Sequence, residues 1–119
     1  MMGDTNLDSL VLDSGGLSIT TGSSGITLNG VTITVVGEAS ETYDAGSIDD
    51  GNEEVGELTV TGAALGDYCL VSHSIDVADL AITAAVTAAN TVTYQLLNNT
   101  GGAINLDSGT VKVLVLHTA

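Results

Sequence analysis

Residues 7–36 read LDSLVLDSGGLSITTGSSGITLNGVTITVV, four short runs in which apolar and polar residues alternate. Leu10 and Leu12, Leu17 and Ile19, Ile26 and Leu28, then Val31, Ile33 and Val35 each fall on one side of a period-two pattern, the mark of a half-buried strand. Ser14-Gly15-Gly16, Thr21-Gly22-Ser23-Ser24-Gly25 and Asn29-Gly30 separate them. The last is a strong two-residue hairpin signal, because both central positions of that turn need positive φ. The apolar side chains of this stretch are too few and too small to offset the entropy of ordering it alone. Residues 1–37 are therefore expected to form an arm that takes its shape from the rest of the chain, from sister copies or from a partner surface.

After the arm the sequence becomes acidic. Residues 38–57 contain Glu38, Glu41, Asp44, Asp49, Asp50, Glu53, Glu54 and Glu57, which predicts a solvated boundary loop. From residue 58 to 119 the alternation returns in longer segments, and residues 38–119 can be read as one unit. Leu58 and Val60 begin it, and a turn follows over Gly62 to Asp67. Tyr68 to Ser74 presents Tyr68, Leu70 and Ser72 on one face and Cys69, Val71 and His73 on the other. Leu80, Ile82, Ala84 and Val86 share a face in the next segment, Val92, Tyr94 and Leu96 in the one after, and Val111, Val113 and Val115 in the last. The alanines of residues 77–89 also suit a helix, but the β-branched Ile82, Thr83, Val86 and Thr87 favour a strand. Short strands punctuated by turns predict an all-β fold, a β-sandwich or jelly roll behind the glycine-punctuated arm.

Composition narrows the function. The chain has 119 residues, no Phe, no Trp and three Tyr, so its core is built from small side chains. Small chains with thin cores lean on disulfides, metals or oligomerisation, and the single Cys69 excludes an internal disulfide. Edge strands point the same way, since this chain has no Pro and only Lys112 with which to blunt them. Fifteen acids against one base give a formal net charge of −14, which leaves no basic patch for nucleic acid or for an anionic membrane. The opening residues Met1 to Asp4 carry no secretory signature, and polar residues interrupt every apolar run of residues 80–106. A soluble product synthesised in the cytoplasm is expected.

No catalytic, cofactor or metal site is expected either. Cys69 and His73 point the same way along one strand, but with His117 far along the chain they make two ligands where zinc needs at least three. Nothing around Cys69 supplies the positive charge that activates a thiol. The stretch from Asp44 to Glu54 offers oxygen ligands for calcium on paper, yet its acids do not follow the order of an EF-hand loop. Paired carboxylates for glycoside hydrolysis exist by count and lack an aromatic platform for sugar. There is no Gly-x-Ser-x-Gly elbow, and no glycine loop leads to a lysine. Asn98-Asn99-Thr100 formally matches a glycosylation acceptor and, without a secretory signature, carries no weight.

Three stretches carry a resemblance: Val60-Thr61-Gly62-Ala63-Ala64-Leu65-Gly66-Asp67, Ala88-Ala89-Asn90-Thr91-Val92, and Asn98 through Thr110. Together they resemble a small β-sandwich module of bacteriophage virion proteins, found in capsid decoration (cement) proteins, head fibres and tail appendages. The arm resembles the glycine-punctuated repeats of fibre stems and of intertwined arms in trimeric cement proteins. The resemblance implies a structural virion protein without enzymatic activity. The expected function is that of a cement protein, a homotrimer seated on the major capsid protein at the outer capsid surface. The alternative is a head-fibre or tail-appendage module for host-surface adhesion, for which Tyr43, Tyr68 and Tyr94 are the only aromatic side chains on offer.

Overall fold

The computed structural model describes residues 15–22 and 25–119. The fold is all-β, with antiparallel pairing throughout. Among the described residues nine strands follow in chain order: β1 (Ile26–Leu28), β2 (Val31–Tyr43), β3 (Gly46–Ile48), β4 (Glu53–Thr59), β5 (Tyr68–His73), β6 (Ala81–Ala88), β7 (Thr91–Leu97), β8 (Ile104–Leu106) and β9 (Gly109–Thr118). They form a four-stranded sheet β1-β2-β9-β5, a three-stranded sheet β4-β7-β6 and a small ladder of β3 with β8.

Turn chemistry fixes the register of the first hairpin. Asn29 and Gly30 both adopt positive φ, 48° and 84°, so Leu28 pairs with Val31 and Ile26 with Ile33. A second tight turn joins β6 to β7 through Asn90 at φ 63°. The Asn90 side-chain oxygen accepts from the Gly62 amide at 2.8 Å, while the Asn90 backbone N–H donates to the Ala63 carbonyl. One turn thereby holds the loop that leads from β4 to β5.

The two larger sheets send their inward side chains into one core. Val92 and Tyr94 from β7, Leu58 from β4 and Val86 from β6 meet Val111, Val113 and Val115 from β9. The alternation expected for these segments is the alternation observed. Ile48, Leu80, Leu96 and Leu106 form a second cluster, in which β3 and β8 close over the end of β7. Residues 81–88 are strand, as their β-branched content predicts.

Two expectations are corrected. The acidic window 38–57 is not a loop: β2 continues to Tyr43, and β3 and most of β4 also lie inside it. Its acids are mostly solvent-facing, as expected, because a strand in a half-solvated sheet turns alternate side chains to water and needs no loop to do so. The second correction concerns Leu17 and Ile19, which form no strand and stay exposed, since no neighbouring segment among the described residues pairs with them. The expected strand at Leu10 and Leu12, and Ser23-Ser24 of the second turn, lie outside the described residues.

The stretch Val31 to Val36 finds its partner within the chain. It is the first half of β2 and pairs with the end of β9, from Ile33 opposite Thr118 to Val35 opposite Leu116. A bulge between Val35 and Gly37 follows, and β2 runs on to Tyr43 opposite Gly109. Only β1 and the opening residues of β2 project past the end of β9.

Candidate functional site

The residues with chemical potential are dispersed. Cys69 and His73 do share the inward face of β5, opposite Val115 and Val111. Burial pushes the Cys69 thiol above its ordinary value, which makes it a poor nucleophile. His73 Nδ1 accepts from the Ile75 amide at 3.3 Å, and its Nε2 is buried without a hydrogen-bond partner among the described residues. His117 lies at the other end of β9, where Nδ1 meets Asp67 Oδ1 at 2.6 Å. The hydrogen bond from His117, aided by the Ala64 amide, holds the Asp67 carboxyl below the usual range. Among the described residues no three His, Cys, Asp or Glu side chains converge at metal-binding distance.

Four of the five acids from Asp44 to Glu54 are engaged one by one. Asp44 accepts from the Gly46 amide at 3.0 Å and Asp50 from the Gly101 amide at 2.9 Å, each closing a turn. Glu53 accepts from Gln95, and Glu54 from the Tyr43 hydroxyl. An open polar cleft of about 490 Å³ runs past Ser47, Asp49, Asn52 and Glu53. These carboxylates point along different strands and turns, so the cleft holds no convergent ligand set.

Asn98 is structural. It is fully buried, its Nδ2 donates to the Ile48 and Gly102 carbonyls at 2.7 and 2.8 Å, and its Oδ1 accepts from the amide and hydroxyl of Thr100. The nitrogen that glycosylation would modify is committed inside the fold.

What the fold does assemble is a surface. Residues opposite one another in an antiparallel pair share a face. Following the register outward from the core side, the outer face of the four-stranded sheet carries Ile26 and Leu28 from β1, Val31, Ile33 and Val35 from β2, Leu114 and Leu116 from β9, and Tyr68 and Leu70 from β5. Leu28 is 59 % exposed, Val35 65 %, Tyr68 60 % and Leu70 58 %. The outer face of the other sheet is of different chemistry, with Glu53, Glu57, Thr83, Ala85, Thr93 and Gln95 around Val55. One sheet faces water with threonines and acids, and the other with large aliphatic side chains.

A signal for this face exists in the sequence. Val113-Leu114-Val115-Leu116 is apolar at every position, the pattern of a strand covered on both sides, whereas a half-solvated strand alternates. Alternation marks the inward valines as core, while the leucines between them become a second apolar face only beside Tyr68, Leu70 and Val35.

Comparison with protein-family models, with curated proteins and with solved structures finds no match to this chain.

Proposed function

We propose that this chain is a structural building block of a bacteriophage virion, a capsid decoration protein that binds the outer capsid surface and stabilises the shell. The observation that carries the reading is the exposed aliphatic outer face of the sheet β1-β2-β9-β5, on a chain whose charge is otherwise strongly negative. Monomeric proteins rarely expose contiguous apolar patches of this kind, and such patches mark association surfaces. The resemblance of the chain's turn sequences to those of phage β-sandwich modules supports the virion setting. In this reading the two larger sheets are the halves of a β-sandwich over the common core.

The mechanism is mechanical. The part of the arm ahead of β2, residues 1–30, joins sister copies into a homotrimer or lies along major capsid protein edges by strand addition, where backbone hydrogen bonds supply affinity. Many copies seated at once multiply modest contacts through avidity. The chain is made in the host cytoplasm and ends in the virion.

Quantitative mass spectrometry of purified virions tests this. A copy number comparable with the number of capsomers is the expected result. A chain missing from the virion overturns the proposal, and a copy number matching a single appendage transfers it to the second reading, an adhesion module of a head fibre or tail. One observation favours that second reading: Tyr68 is exposed on the outer sheet face, where an aromatic ring is available to a receptor.

A further inference from the structure

We propose that the outer face of β1-β2-β9-β5 is a self-association surface, and that its occupant is a second copy of this chain. The inference rests on the building-block reading and assigns to it a specific face.

Charge selects the occupant. Two copies carrying a formal charge of −14 each repel wherever acids meet acids. Among the strand positions of this face only Glu38 is acidic, and Lys112, the chain's one basic residue, stands diagonal to it, since Glu38 pairs with Leu114 and Ser40 with Lys112. Of the outer faces of the two larger sheets, this one offers a like-charged copy the more neutral approach. The outer face of β4-β7-β6 sets Glu53 and Glu57 in its path. On the apolar face, Lys112 of one copy has Glu38 of the other as a natural counterpart at the rim.

Area agrees with this choice. The exposed portions of Ile26, Leu28, Val31, Val35, Tyr68 and Leu70 leave on the order of 500 Å² of apolar surface uncovered. That is a large share of the roughly 800 Å² per partner that a standard stable interface buries. Tyr68 and Leu70 on the edge strand β5 lie beside the half-buried Leu114 and Leu116, so the patch has an anchor cluster on its β5-β9 side. The projecting β1-β2 hairpin extends it beyond the edge of β9, where it can lie against the anchor cluster of a neighbour.

The test is the mass of the full chain in solution. Sedimentation equilibrium up to about 100 μM, in low and high salt, is run on the wild type and on Leu70→Glu, Leu70→Lys and Val55→Glu, with far-UV circular dichroism confirming the fold of each. The wild type is expected to exceed its 11.9 kDa monomer mass, and more so in high salt, which screens the residual repulsion. Both Leu70 variants are expected to weaken association roughly 100-fold, the lysine as well as the glutamate, because loss of apolar contact rather than added negative charge is the cause. Val55→Glu on the opposite sheet is expected to leave the mass unchanged. Oligomers that persist with unaltered affinity in both Leu70 variants overturn the assignment of this face and leave the building-block reading standing. A wild type that stays monomeric at the highest concentration in high salt overturns self-association through the face, and a gain of mass on removing residues 1–24 would then identify the chain's own amino-terminal segment as the cover. The copy number in virions judges the broader reading independently in either case.

Discussion

The rings of Tyr43 and Tyr94 meet edge to face, with centroids 5.6 Å apart and planes at 82°. Their hydroxyls cross over: Tyr43 on β2 donates to Glu54 on β4 at 2.9 Å, and Tyr94 on β7 donates to Glu41 on β2. Each of the two larger sheets thus supplies one phenol and one carboxylate to the other. In a chain without Phe or Trp, this pair is the one aromatic contact that spans the core among the described residues, and such T-shaped pairs contribute about 0.5–1.5 kcal/mol beyond their buried area. The crossed hydrogen bonds also let two acids sit half-buried between the sheets with their oxygens satisfied.

Alkaline pH is expected to loosen this connection. Burial, followed by the hydrogen bond and charge of Glu54, pushes Tyr43 up to about 12 from an ordinary 10.0, and burial with Glu41 pushes Tyr94 up as well. The folded state holds both phenolic protons more tightly than the unfolded chain does. Their contribution is complete below pH 10 and is lost as the pH climbs from 10 towards 12. Denaturant midpoints measured across that window should fall steeply in the wild type and less steeply in Tyr43→Phe. Equal slopes in the two proteins would show that Tyr43 does not couple folding to this titration.

Gly56 makes room for the Tyr94 ring. It lies opposite Tyr94 in the β4-β7 register, and a Cβ at this position would fall onto the ring and its hydroxyl. Gly56→Ala is expected to cost about 1–3 kcal/mol in urea denaturation, the range for overpacking a filled core. Adding Tyr94→Leu to Gly56→Ala should produce a non-additive double mutant, with the second change costing less than it does alone. A wild-type midpoint for Gly56→Ala would mean that the ring does not depend on the missing side chain.

Asn98 binds β3 to the loop before β8, and the direction of its hydrogen bonds sets the order of its variants. Asn98→Ala removes donors from the buried Ile48 carbonyl and the Gly102 carbonyl, an expected loss of about 2–4 kcal/mol. Asn98→Asp should be less stable than the alanine variant at neutral pH, because it turns a carboxylate oxygen toward those two carbonyls. Thermal melts rank the three proteins, and an aspartate variant as stable as the wild type would contradict the assigned donor side.

Sequence alone determined the all-β class, the hairpin at Asn29-Gly30, and the core faces of β6, β7 and β9, because each rests on period-two alternation or on a turn that only certain residues adopt. Side-chain period is a local property, fixed by the pleat, and needs no knowledge of what lies across the sheet. Tertiary structure decided what the acids and the alternate apolar residues do. Glu41 and Glu54 read as solvated charges until the opposing sheet brings Tyr94 and Tyr43 to them, and Asn98 reads as a surface loop residue until Ile48, fifty positions earlier, arrives at its amide. Leu70, Leu114 and Val35 likewise became one surface only when β5, β9 and β2 aligned, since register between distant strands is set by long-range packing and by the bulge at Val35–Gly37.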